Sequence, residues 1–338
     1  MTAGQWFGLV VLVISIYIFW QIRQALLLAF TAVVIATVLN RVVRRLERSG
    51  MKRSLAVPLT MVGVLVVLAL FIAVIVPPFV NQFQQLIELL PQGIEEFRGW
   101  LNRLQNFVPA SVLERLRGTG GLVPQIQDLV GRLFDNFLAL FANTLSVVLS
   151  ALLVTVLTIM LLAEPSKYRW AFMQLFPSSR RVRISEVLDK CDEALSGWAI
   201  GILFNMTVIA VFSGMGLWIL GVRLPLANGL LAGLLTYIPN IGPTLSVIPP
   251  AVLALLDAPW KALAVLVLYI AIQQIESNIL TPLVMQRQVS MLPAITLLSL
   301  VVFGIFFGIL GLILALPIAV VAEVLLKELL IKDFLNKR

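Results

Sequence analysis

The chain contains no histidine and a single cysteine, Cys191. Without histidine there is no imidazole for acid–base catalysis and no histidine-ligated metal site. One cysteine excludes an internal disulfide and a cysteine-rich metal or iron–sulfur cluster. The sequence also lacks a phosphate-binding Gly-x-x-x-x-Gly-Lys-Ser/Thr loop, a Ser–His pair and a His-Glu-x-x-His motif. We therefore expect no enzymatic activity and no cofactor.

Charged residues are also scarce. They make up 12% of the 338 residues, hydrophobic residues make up 60%, and the mean hydropathy is +1.01. Soluble domains are about 25% charged and about 45–50% apolar, so a single core in water cannot bury this much apolar surface. The composition predicts a multi-pass membrane protein. The net charge of +8 then indicates basic cytoplasmic loops rather than a nucleic-acid partner.

Hydrophobic segments occur along most of the chain. A spanning helix needs about 20 apolar residues, because the hydrocarbon layer is about 30 Å thick. Two apolar tracts are too long for one straight span, and one segment is short and either enters tilted or dips. We predict an all-α polytopic membrane protein with six spanning helices plus two re-entrant or broken-helix hairpins. The seven to eight segments lie at about 6–20, 25–39 (the short one), 54–80, 137–163, 197–220, 260–280, and the long tracts 226–256 and 294–326.

A polar stretch at 81–136 interrupts these segments. Its apolar residues recur at helical spacing, which predicts an amphipathic helical arm outside the cytoplasm. Pro77-Pro78 is expected to end the preceding span, Pro91 to begin an arm helix and 118–121 to end it. The stripe consists of Ile94, Phe97, Leu101, Leu104 and Val108.

Charge predicts the orientation and the domain organisation. The linker 41–53 holds six basic residues and one acid, so it is expected in the cytoplasm together with the basic stretch 164–196 and both termini. Cys191 lies on an apolar stripe of that second stretch and is expected to pack rather than react. The predicted parts are transmembrane segments at 1–80, the arm at 81–136, a span with a cytoplasmic amphipathic helix at 137–196, a transport core at 197–326 and a tail at 327–338.

The transport core contains a candidate repeat. A shift of 68 residues superimposes Leu224-Pro225 on Leu292-Pro293 and Pro249 on Pro317, which relates 197–256 to 260–326. Each unit then has one span, a short link and an interrupted apolar tract. Three Gly-x-x-x-Gly pairs of the core are expected to allow close packing within one subunit: Gly197/Gly201, Gly229/Gly233 and Gly304/Gly308.

The interruption of the first tract suggests a binding site. Pro239 and Pro243 lack an amide proton, and Gly242 accepts unusual backbone angles, so a helix is expected to break here. The freed carbonyls, with Asn240, would then be available to a substrate or ion, as in broken-helix transporters. The alternative is a kinked, continuous span with no ligand. Gly308 and Gly311 interrupt the second tract and are predicted to act in the same way.

Polar residues in apolar segments supply the other candidates. Gln273, Glu276 and Asn278 lie towards the end of the segment 260–280, where the Glu276 carboxylate could carry a proton or bind a cation. The alternative is a solvated residue at the end of the helix. Asn205 is a further candidate, either as a ligand or as an interhelical hydrogen-bonding group.

The motifs of the carboxyl half resemble the autoinducer-2 exporter family. They occur in family order as Gly229-Leu-Leu-Ala-Gly233, Ile238-Pro-Asn-Ile-Gly-Pro243, Glu276-Ser-Asn-x-Leu-x-Pro282, Gly304-x-x-x-Gly-x-x-Gly311 and Leu316-Pro317. The resemblance implies export of the quorum-sensing furanone or, as in other members, sodium(lithium)/proton antiport. It also implies a homo-oligomer, with a pentamer as the expected form.

The chain departs from the family pattern at three places. Gln286 stands where members often have glycine, and Met291-Leu292-Pro293 stands where many have Leu-His-Pro. Asn240 replaces an aromatic residue in the proline break. A proton-coupling role of that histidine cannot operate here.

The predicted function is secondary transport in the bacterial inner membrane: export of a small polar solute such as autoinducer-2, driven by an ion or proton gradient. The alternatives are a sodium(lithium)/proton antiporter and a non-transporting scaffold or regulator. A passive channel is disfavoured because no ring-forming charged or hydroxyl-rich helix is evident. Expected partners are the small-molecule or cation substrate, the lipid bilayer and further copies of the chain.

Overall fold

The protein is described by a computed structural model over residues 3–103, 144–239, 241–280 and 293–329, and these residues form helices without strands. This confirms an all-α membrane architecture. The helices are α1 (Ala3–Arg48), α2 (Arg53–Arg103), α3 (Thr144–Ala163), α4 (Pro165–Gln174), α5 (Ser178–Ile219), α6 (Pro225–Leu235), α7 (Ile241–Ser246), α8 (Ile248–Asp257), α9 (Pro259–Ile275), a π-helical turn (Glu276–Leu280) and α10 (Pro293–Leu325).

The chain divides into two compact units. Unit 1 comprises Met1–Gly63, Leu145–Ala199 and Gln288–Arg338, and unit 2 comprises Val64–Thr144 and Ile200–Arg287. Within the described residues, five helices, or six with one bent pair, are long and apolar enough to cross a membrane.

The first two hydrophobic segments form one helix. The prediction of two separate segments at 6–20 and 25–39 is wrong, because α1 continues through both for 46 residues. The intervening Gln21, Arg23 and Gln24 are good helix formers, and no Gly or Pro interrupts them. At about 1.5 Å per residue, α1 is roughly 69 Å long, more than twice the thickness of the hydrocarbon layer. The predicted cytoplasmic amino terminus assumes two membrane crossings before residue 41, and the side on which it lies stays a prediction.

The apolar part of the third segment ends at Pro78, as predicted, but the helix itself continues into the predicted arm, so the expected helix start at Pro91 is wrong. Helix α2 runs for 51 residues from Arg53 to Arg103 and passes through Pro77-Pro78 and Pro91 without ending. A long apolar helix can retain proline where its neighbours satisfy the freed carbonyl groups. Leu104, Val108 and the rest of the arm to 136 lie outside the described residues, as do 137–143 of the next predicted segment.

A right-angle turn joins α3 to α4. The two helices meet at Glu164 with an angle of 92° between them, and Pro165 begins the second one. Helix α5 then carries 178–196 of the predicted amphipathic stretch and the following span without a break, in one helix of 42 residues.

Arg53 holds three parts of unit 1 together. Its Nη2 donates hydrogen bonds to the carbonyl of Leu162 at 2.7 Å and to Asn40 Oδ1 at 2.8 Å, and its Nη1 pairs with Glu47 at 3.1 Å. Helix carbonyls in the last turn have no partner within the helix, so a guanidinium there both caps α3 and complements its dipole. A residue of the basic linker therefore has a structural role in addition to its charge.

The amino-terminal part of α5 is hydrogen-bonded to the end of the last described segment. The Glu328 carboxylate, which is 7% exposed, accepts hydrogen bonds from Lys190 Nζ at 2.7 Å and Arg183 Nη2 at 3.0 Å. Val187, Cys191 and Val324 form a buried cluster nearby. The prediction that Cys191 packs is confirmed, because its side chain is buried in this cluster.

Residues 225–257, the first hairpin, fold back on themselves. Helices α6 and α7 pack against each other across a turn that includes 236–239, and α8 continues from α7. A Cβ atom at Gly242 would overlap the carbonyl oxygen of Leu235, so only glycine permits this approach. Helix α6 has 11 residues and is about 17 Å long, too short to cross the hydrocarbon layer.

Helix α10, the second hairpin, folds back in the same way. Gly308 has φ +65°, in the left-handed region that favours glycine. A Cβ at Gly311 would overlap the carbonyl oxygen of Phe303, and a Cβ at Gly304 would lie 3.5 Å from Leu312. Residues eight apart are about 12 Å apart in a straight helix. The chain therefore reverses at Gly308 rather than continuing as one span.

The close backbone contacts at the two turns predict that stability depends on Gly242 and Gly311. Gly242→Ala and Gly311→Ala should each lower the free energy of unfolding by about 1–3 kcal/mol, because the new methyl group meets backbone oxygen. Gly63→Ala is the control: no atom lies within 4 Å of its Cβ position on α2, so it should be neutral or stabilising by up to about 1 kcal/mol. Thermal unfolding in detergent measures both. Equal effects at all three positions would contradict the close approaches.

Candidate functional site

A carboxylate and a carboxamide meet between two helices of unit 2. Asn205 on α5 donates a hydrogen bond from Nδ2 to Glu276 Oε1 at 2.9 Å. Gly216 on α5 faces Leu268 on α9, so the residue numbers rise along one helix as they fall along the other. The two helices are therefore antiparallel neighbours, and the pair lies in their shared seam.

The Asn205–Glu276 pair is incompletely satisfied. The side chain of Asn205 keeps its Oδ1 atom buried and without a hydrogen-bond partner among the described residues. Glu276 has no basic residue within ion-pair distance in that part of the chain. A half-buried acid and an unpaired amide oxygen together present two oxygen atoms of the type that binds protons or small cations.

Glu276 begins the π-helical turn Glu276–Leu280 at the end of α9. Such turns are rare, add a residue to one turn and occur frequently at functional sites. The neighbouring polar side chains behave differently. Gln273 and Asn278 bond along their own helix, to Ser277 at 3.5 Å and to Gln274 at 2.9 Å. The structure thus separates Glu276 from the polar residues with which the sequence grouped it.

The first hairpin lies beside the helix that carries Asn205. A Cβ at Gly229 would be 2.6 Å from the Ala210 carbonyl, and a Cβ at Gly233 would meet the carbonyl of Met206. The Gly229/Gly233 pair therefore packs within one subunit, as predicted. Met206 follows Asn205 directly, and the turn of the hairpin begins shortly after Gly233. The turn and the polar pair lie at a similar level along α5.

The hairpin turn uses several of its own carbonyl groups. Leu235 O accepts from Ile238 N at 2.9 Å, and Ile238 O accepts from Gly242 N at 2.9 Å. Pro243 O accepts from the hydroxyl of Ser246 at 2.9 Å. The expected set of free carbonyls is therefore smaller than predicted. Pro239 and Pro243 are half-buried and Gly242 is buried, whereas Asn240 lies outside the described residues.

Gly308 and Gly311 belong to unit 1, and Asn205 and Glu276 belong to unit 2. The structure explains both glycines by the fold of the second hairpin, where they allow the reversal of the chain. Their predicted part in binding a substrate stays a prediction.

Two hydroxyl groups were missed by sequence reasoning. Ser213 Oγ and Tyr269 OH are buried and lack hydrogen bonds in the described part of the chain. They lie about two turns from Asn205 and Glu276 on the same two helices, and the Ser213 side chain is the neighbour of the phenol. Only the antiparallel register of α5 and α9 brings these distant residues together. No group of three or more potential metal ligands occurs among the described residues.

Known proteins resemble this chain along most of its length. The AI-2E family transporter profile matches residues 9–331. The chain belongs to the AI-2E transporter family. It is 27% identical to the "AI-2 transport protein TqsA" of Escherichia coli (strain K12), over 88% of this chain and 84% of that protein. YrrI of Bacillus subtilis (strain 168), provisionally named a transport protein, is 25% identical over 91% of this chain and 88% of its own. An AI-2E transporter is a multi-pass membrane protein, and these names indicate transport rather than catalysis.

The pair makes a stability prediction. Asn205→Ala should lower the free energy of unfolding by about 0.6–1.7 kcal/mol, the range for an interhelical hydrogen bond in a membrane. Thr207→Ala is the matched control, because its exposed hydroxyl bonds only to Leu203 O of the same helix and its loss should cost little. Thermal unfolding of both variants measures the two losses of stability. A larger loss for Thr207→Ala would contradict the bridging role of Asn205.

Proposed function

We propose that this AI-2E transporter is a secondary carrier that exports a small polar solute in exchange for a proton or cation. The Asn205–Glu276 pair is the observation that carries this proposal. An ionisable side chain in an apolar span is costly, and such residues commonly line ion or proton pathways. The sequence has no histidine, so a carboxylate is the side chain suited to release and rebind a proton within these spans.

The helical hairpins are suited to be the moving part of such a carrier. Secondary carriers expose one site alternately to each side, and short helical hairpins packed through small residues can slide with little loss of contact. Gly229 and Gly233 provide such a smooth face against α5. We propose that the first hairpin moves along α5 and alternately covers and uncovers Glu276.

Autoinducer-2 is the proposed solute, because the relative TqsA is named an AI-2 transport protein. Sodium or lithium in exchange for protons is the second candidate. The uncompensated carboxylate favours it, since a cation could bind where a proton otherwise does. We also propose a homo-oligomer in the inner membrane, with 41–53 in the cytoplasm. If α1 crosses once, its amino terminus lies on the opposite side.

Loss of the carboxylate tests the mechanism. Glu276→Gln keeps an acceptor for Asn205 but cannot exchange a proton, so gradient-driven flux should fall at least about tenfold with folding unchanged. Glu186→Gln is the control, because the described contact of Glu186 is an exposed i,i+3 pair with Arg183. Proteoliposomes with an imposed pH gradient are assayed separately for autoinducer-2 uptake and for sodium- or lithium-driven proton release. Full flux in Glu276→Gln would remove Glu276 from the mechanism.

The sidedness of the hairpins is a separate prediction. In a Cys191→Ser background, a cysteine at Ala258 should react with an impermeant thiol reagent from outside, and one at Gln286 from inside. These labelling sides are expected because each hairpin returns to the membrane side from which it enters. The residue at position 258 then stays outside, and the residue at position 286 stays inside. Labelling at position 258 from inside and at position 286 from outside would indicate straight spans instead of hairpins.

A further inference from the structure

An apolar groove in unit 1 contains one arginine, Arg23, in its described lining. The groove has a volume of about 670 Å³, within the range of ligand pockets, and runs between α1 and the second hairpin. Its walls are aromatic and aliphatic, and the guanidinium of Arg23 is the charged group in the lining. Representative lining residues are Trp20, Leu26, Phe30, Phe307, Ala322 and Leu325.

Among the described residues, Arg23 has no acidic partner. Its guanidinium stacks over the Trp20 ring at 4.0 Å, and its Nη1 atom is buried and makes no hydrogen bond within the described residues. Stacking on an aromatic face orients an arginine but does not satisfy its N–H donors. An arginine beside an apolar surface without an acceptor is costly, so the site is suited to an added anion.

The position of Arg23 along α1 identifies the source of that anion. Arg41 belongs to the basic linker at one membrane surface, and Arg23 precedes it by 18 helical residues, or about 27 Å. This distance approaches the hydrocarbon thickness of about 30 Å. Arg23 and Trp20 therefore lie near the opposite interface, where lipid phosphates are found and where tryptophan is enriched.

We propose that this groove binds one anionic phospholipid, with the phosphate on Arg23 and an acyl chain along the apolar walls. Guanidinium groups bind phosphate through charge-assisted, often bidentate hydrogen bonds. The apolar walls of the groove next to that head-group site suit a hydrocarbon tail. The proposal does not depend on the transported solute or on Glu276.

Fluorescence quenching at Trp20 tests the site directly. The full chain is reconstituted in phosphatidylcholine vesicles that contain brominated-chain phosphatidylglycerol or brominated-chain phosphatidylcholine. The difference between the protein and its Trp20→Phe variant isolates the Trp20 signal from that of the other tryptophans. We expect phosphatidylglycerol to bind about tenfold more strongly than phosphatidylcholine, as a charge-assisted hydrogen bond predicts.

Three variants separate the contributions of head group and tail. Arg23→Gln should reduce the tenfold preference to about onefold, whereas Arg23→Lys should retain part of it because the charge remains. Ala322→Phe should fill the groove and weaken quenching by both lipids. Arg41→Gln is the matched control: Arg41 is exposed on the same helix and lies outside the groove lining, so the preference should stay unchanged.

Several outcomes would overturn the proposal. A tenfold preference that survives Arg23→Gln would show that Arg23 does not bind the head group. Competition by soluble glycerol phosphate would assign the site to a free anion instead. Absence of lipid quenching at Trp20, together with cross-linking between copies through a cysteine at Ala322, would assign the groove to a second copy of the chain.

Discussion

Backbone hydrogen bonding in a medium without water is the constraint on which this structure depends. Hydrocarbon offers no partner to a free N–H or C=O group, so each apolar segment must satisfy its own backbone as a helix. The same constraint acts on the ends of helices. Arg53 supplies hydrogen bonds to the last carbonyls of α3, and the first hairpin turn closes its own carbonyls with backbone amides and a serine hydroxyl.

Close packing of backbones is the second requirement, and it determines where the polar pair lies. Gly229 and Gly233 bring α6 against α5 at the level of Met206 and Ala210. Asn205 is held beside that contact, and α9 brings Glu276 to within hydrogen-bond distance of it. The position of the pair therefore depends on small residues that carry no functional group. A change in the packing of α6 against α5 would therefore also shift the Asn205–Glu276 pair.

Arg53 and Arg23 use the planar N–H donors of the guanidinium group in different ways. Arg53 has carbonyl and carboxylate acceptors around it and stabilises unit 1. Arg23 has an aromatic ring beneath it but lacks an acceptor for Nη1 in the described part of the chain. Arginine thus joins helices within the protein at position 53, whereas at position 23 it is suited to bind a ligand. Their surroundings, not their charge, make the difference.

The sequence by itself determined the membrane class, the helical composition and the two interrupted tracts, because these follow from local hydropathy and from Pro and Gly chemistry. It also indicated Asn205 and Glu276, since polar residues in apolar segments stand out. It did not predict that α1 and α2 continue through Arg23 and Pro91, because helix continuity also depends on neighbours that satisfy the backbone. Tertiary structure alone decided the pairing of Asn205 with Glu276, the burial of Ser213 and Tyr269, and the groove at Arg23. Each of these joins residues far apart in the chain, and their proximity depends on packing that local sequence does not encode.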